Sequence, residues 1–205
     1  RLLESGSEIA ASASGAAIGL LLGPGGAIAG AALGPVLKRT FFKVGSEIND
    51  RMVGPRENIR MGATASYAVD RLNERLEDGE ELRGNYFFDE EAERSIAEEI
   101  FEGTLLKAKN EHEESKVEYL GYLFANIAFD ETIGQNEANQ LISMAERLTY
   151  QQLCLISLLP EERRPANMKQ TKLDGTSQVT WSKLSLLTDL YELYRMSLIY
   201  CQPPE

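Results

Sequence analysis

"KVEYLGYLFANIAFD", Lys116–Asp130, decides how the rest of this chain is read. Its apolar residues Val117, Leu120, Leu123, Phe124 and Ile127 recur at three and four positions and cover a wide arc of a helix. A surface helix needs only one apolar stripe, so this breadth predicts the central helix of a bundle. The flanking segments fit around it. Upstream, Pro55 suits a first helical position and Gly79 a C-terminal stop, bracketing a helix with Ile59, Ala65, Val69, Leu72 and Leu76 inward. Asp89 is placed to cap a second helix, with Glu90 and Arg94 at i,i+4 spacing and Ile96, Ile100, Phe101 and Leu105 on its buried face.

Downstream, "NEANQLISMAERL" is amphipathic through Ala138, Leu141, Ile142 and Ala145. "TYQQLCLISLLP" opens with Thr149 and Gln152 at capping-box spacing and stops at Pro160. Residues 161–179 are polar and loop-like. Leu184, Leu187, Tyr191, Tyr194 and Leu198 then mark a last helix at 3-4-3-4 spacing. No segment sustains period-2 alternation, so the expected fold is mainly α, a helical bundle.

The N-terminal part is different. Between Ile9 and Leu37 no residue is charged, and those 29 residues hold nine Ala, seven Gly and only nine Leu, Ile or Val. One helix of that length would reach roughly 43 Å against the ~30 Å of bilayer hydrocarbon, but Pro24 divides it into halves too short to cross comfortably. Gly15, Gly19 and Gly23 lie four apart, as do Gly26, Gly30 and Gly34. On helices, each run clears one face for close approach of another backbone. The segment is therefore expected to be an apolar glycine-zipper hairpin that inserts in or associates with a membrane, or packs as core or subunit interface of a soluble fold. A flexible linker fits less well, because Leu20, Leu21, Leu22 and Ile28 would be exposed. Lys38, Arg39 and Lys43 follow as a basic flank, either facing a membrane or forming a solvated collar. Three regions are expected: 1–45 the hairpin, 46–160 the bundle, and 161–205 a loop with a C-terminal helical unit.

Charge and motifs narrow the function. The formal charge is −11, which disfavours nucleic acid as a partner. From Glu74 to Glu102 twelve acids face three arginines, a pattern expected of solvated helix faces. Cys154 and Cys201 make neither a disulfide framework nor a CxxC pair. The single histidine, His112, is expected to be solvated near a helix junction, and no GxSxG, Walker loop or HExxH is present. No catalytic residue, cofactor or metal is therefore expected. The last helix, ending in "SLI" before a tail, resembles the third helix and first strand of a winged-helix unit. Lys183 and Arg195 are offset by Asp189 and Glu192, so such a unit would serve protein contact rather than DNA. The chain begins at Arg1, and a fragment or processed form is expected.

"YLFANIAFD", with Leu123, Phe124, Ala125 and Asn126, followed by a helix beginning near Leu148 and Thr149, resembles the Abi-alpha group of bacterial proteins. The resemblance spans about residues 89–199 and consists of packing patterns. It implies a role in abortive infection, the sacrifice of a phage-infected cell, and carries over no catalytic residue. The expectation is a non-enzymatic anti-phage protein, cytoplasmic or associated with the inner membrane, that homo-oligomerises or engages a protein partner. The alternative is a soluble helical scaffold module.

Overall fold

The computed structural model describes residues 34–49, 54–84, 86–89, 91–158 and 180–199. Seven α-helices and no strand occur among the described residues. They are α1 (Pro35–Asn49), α2 (Pro55–Glu77), α3 (Ile96–Asn110), α4 (Val117–Ile127), α5 (Gln135–Arg147), α6 (Tyr150–Ser157) and α7 (Trp181–Arg195). The mainly α bundle expected from the sequence is what forms.

The chain divides into two compact units at Arg147–Leu148. In the first unit α2 lies along α4, and α3 touches α1, α2, α4 and α5. Leu37, Phe41, Met61, Leu72, Ile100, Phe101, Phe124 and Ile127 are among the side chains closed off from water in one continuous core. At its centre three rings meet: Phe41–Phe101 at 4.3 Å, Phe101–Phe124 at 4.8 Å and Phe41–Phe124 at 5.9 Å between centroids. Tilted and edge-on arrangements of this kind suit the ring quadrupoles. The α2–α4 crossing is close because α4 carries glycine at 121. A Cβ there would stand 2.6 Å from the Thr64 carbonyl oxygen and 2.9 Å from the Ala68 nitrogen.

Local signals set most helix ends. Pro55 occupies the first turn of α2, and Gly79 follows its end at φ +85°, a conformation that suits glycine. Thr149 and Gln152 form the expected capping box of α6. Asp89 does not cap α3. Its carboxylate accepts from the Glu91 N–H in a local turn, and the cap is Ser95, in a reciprocal box with Glu98. Arg94 thus lies ahead of the helix and pairs with Glu102 and Glu47, while Glu90, its expected partner, lies outside the described residues.

α1 also departs from expectation. Position 45 lies inside it, and Leu37, Phe41, Val44 and Ile48, at 4-3-4 spacing, point into the core. It is a structural member of the first unit.

The second unit contains α6 and α7, joined by a hydrogen bond from Gln152 Nε2 to Asp189 Oδ1 at 3.1 Å. Leu193 is fully buried, whereas Leu184, Leu187, Tyr191 and Tyr194 are exposed. The expected apolar stripe of this helix is therefore its outer face. After α7 the chain turns through Met196 and Ser197. Leu198 and Ile199, which complete the "SLI" stretch, lie in neither helix nor strand, and the tail from residue 200 lies outside the described residues.

Candidate functional site

Gly15, Gly19, Gly23, Pro24, Gly26 and Gly30, the positions expected to pack in a membrane or between subunits, lie outside the described residues. Gly34 is described. It immediately precedes α1, and its carbonyl accepts the Lys38 N–H. Nothing lies within 4 Å of where its Cβ would stand. Among the described residues, no helix is long and apolar enough to cross a membrane.

The junction between that segment and the bundle is the first turn of α1. Lys38 and Arg39 are exposed there, whereas Leu37 and Phe41 are buried. Lys43 is committed within the bundle. Its ammonium lies 2.7 Å from Glu98 Oε2 and also donates to the Glu93 carbonyl. Glu98 is almost fully buried and at the same time caps α3, so this one carboxylate clamps α1 to the start of α3. A charge so enclosed is tolerable because all its strong contacts are donors. The acidic run is in this respect not simply a solvated face.

Beside the same turn, Val36, Leu82, Tyr86 and Phe88 line an open, mainly apolar cleft of about 290 Å³. Arg83 and Asp89 also line it. Tyr86 has φ +59° and an exposed ring, whereas the Arg83 guanidinium is turned inward, 4.4 Å from the Phe87 ring centre and donating to the Ile127 carbonyl. Burial pulls the Arg83 pKa down while the charges of Asp130 and Glu131 oppose that shift.

A second polar cluster closes the α3–α4 junction. Lys116 and Glu111 are both buried and paired at 2.5 Å. Lys116 also donates to the Glu146 carbonyl in the last turn of α5, and Arg60 of α2 donates to the Glu111 carbonyl. Burial pushes the Glu111 carboxyl up, but the Lys116 hydrogen bond, the Glu113 and His112 N–H groups and the Lys116 charge outweigh it and hold the pKa below 4.5. Glu111, His112 and Glu113 each bring one potential metal ligand atom within 4.8 Å of the others. The carboxylate nearest the protein is already neutralised by Lys116, and His112 projects into solvent. This cluster ties helices together; sequence reading missed it because a Glu–Lys pair five apart looks like ordinary surface charge.

On the α2–α4 face, Tyr67 and Tyr122 meet edge-on with centroids 6.0 Å apart. Burial and a hydrogen bond to Glu118 push the Tyr122 phenol up to about 12. No arrangement of nucleophile, base and oriented partner is formed by these groups. No family model, no curated protein and no solved structure matches this chain.

Proposed function

We propose that this chain is a non-enzymatic bacterial defence protein of the abortive-infection type. Its glycine-faced segment oligomerises and associates with or perturbs the inner membrane. The observation that supports this is the attachment of α1. Leu37, Phe41, Val44 and Ile48 anchor it in the core immediately after the apolar segment, while Lys38 and Arg39 remain exposed at its first turn. Cations at that position attract an anionic headgroup layer. Because the segment's hydrophobicity is marginal, it stays packed at rest and inserts on assembly or activation. The defence component rests on the Abi-alpha resemblance.

Induced expression with a membrane-potential dye tests the mechanism. Gly19→Leu and Gly30→Leu are expected to abolish both toxicity and depolarisation. If both persist in the two variants, the zipper mechanism is wrong.

A second reading, a soluble interaction module, is favoured by the exposed aromatic face of α7. Fractionation separates the two, since that protein stays in the supernatant without detergent.

A further inference from the structure

We propose that α7 is a homodimer interface, packing antiparallel against α7 of a second copy; this uses a different element from the glycine segment and stands without it. Trp181, Leu184, Leu187, Tyr191 and Tyr194 are 86%, 45%, 41%, 60% and 53% exposed. Their 3-3-4-3 spacing places all five on one side of the helix. The other side is occupied within the unit, by buried Leu193 and by Asp189 bonded to Gln152 of α6. An outer face richer in large apolar groups than the inner one is unusual for a free helix. Its composition, aromatic with leucine at the centre and arginine at the edge, is that of an interface core.

A second copy fits for two reasons. The first is register. In a two-fold antiparallel pair, Leu184 and Leu187 of one helix stand opposite Tyr194 and Tyr191 of the other. On one flank the same register sets Thr188 against its symmetry mate and Trp181 against Arg195, twice by symmetry. An indole is the best aromatic face for a cation, and arginine is the cation most often found over one. No like charges meet across this seam. Arg195 is held on that flank by its pair with Glu192 at 3.3 Å. The second reason is area. Three aromatic and two leucine side chains at these exposures offer roughly 600–700 Å² per copy, so two copies exceed the ~1,000 Å² expected of a specific interface.

Trp181 is the only tryptophan in the chain, so its emission reports on this face alone. The test follows sedimentation and tryptophan emission of the full chain across a dilution series, beside Leu187→Glu, Arg195→Ala and the Gly19→Leu/Gly30→Leu pair. The expected result is a dimer with blue-shifted emission that reverts to water-exposed emission as the mass falls to monomer. Leu187→Glu is expected to be monomeric and red-shifted with unchanged circular dichroism. Arg195→Ala should weaken the dimer about tenfold by removing two symmetric contacts, and the glycine variants should leave it intact. Three results each overturn the proposal: water-exposed emission at every concentration, self-association that survives Leu187→Glu, or a blue shift that appears only with anionic lipid vesicles.

Discussion

Lys116 and Glu111 form an ion pair 2.5 Å long in which neither side chain is more than 4% exposed. Lys116 reaches the end of α5 as well, and the Glu111 carbonyl receives Arg60 from α2. The α3–α4 junction is thus held by a buried charge pair whose further contacts are mainly with backbone groups. Removing one partner leaves the other buried and unpaired. Lys116→Met is expected to lower stability by about 3–5 kcal/mol, and Lys116→Met with Glu111→Leu to recover a large part of that. Urea unfolding of the two variants measures both.

The same pair makes stability depend on acid. The folded Glu111 pKa lies below its ordinary value of 4.5. The folded state therefore binds this proton less readily than the unfolded chain. Its contribution is fully present above pH 4.5 and is lost as pH falls through the lower folded value. Unfolding midpoints between pH 6 and pH 3 are expected to fall for the native chain and to fall less for the double replacement.

At alkaline pH the direction is set by Tyr122. Its phenol ionises near 12 when folded and near 10 when not, so this contribution is complete below pH 10 and declines between pH 10 and 12. Tyr122→Phe removes the ionisable group and is expected to flatten that part of the curve. Absorbance titration at the tyrosinate band should lose one late-titrating group in the same variant.

Two glycines in helices make opposite predictions. Gly121→Ala places a methyl group against the α2 backbone and forces α2 and α4 apart, at a cost of about 1–3 kcal/mol or more. Gly103, in α3, has nothing within 4 Å of its Cβ position, and Gly103→Ala is expected to stabilise by about 0.5–1 kcal/mol. Thermal melts of the two variants should move in opposite directions.

Where local chemistry alone decides, residues and structure agree. Pro55 and Gly79 delimit α2, Thr149 and Gln152 start α6, and the wide apolar arc of α4 marks the buried centre. Errors arise where two local choices compete. Asp89 satisfies a turn, and Ser95 wins the cap because Glu98 can answer it and also reach Lys43. In α7 periodicity finds a real stripe but cannot say which side meets α6. α1 is legible in principle, since Leu37, Phe41, Val44 and Ile48 hold helical spacing, although basic residues lie between them. The glycine-faced segment, on which the membrane reading depends, lies outside the described residues.

The ring cluster of Phe41, Phe101 and Phe124 has a mechanical consequence. Phe41 belongs to α1, which begins at Pro35, and the other two rings belong to α3 and α4. A pull on the N-terminal segment is therefore carried along α1 into the middle of the bundle. The load path runs through Leu37 and Phe41 before it reaches the Lys43–Glu98 clamp. A force large enough to draw α1 out would open the core, so α1 cannot leave its place while the fold survives.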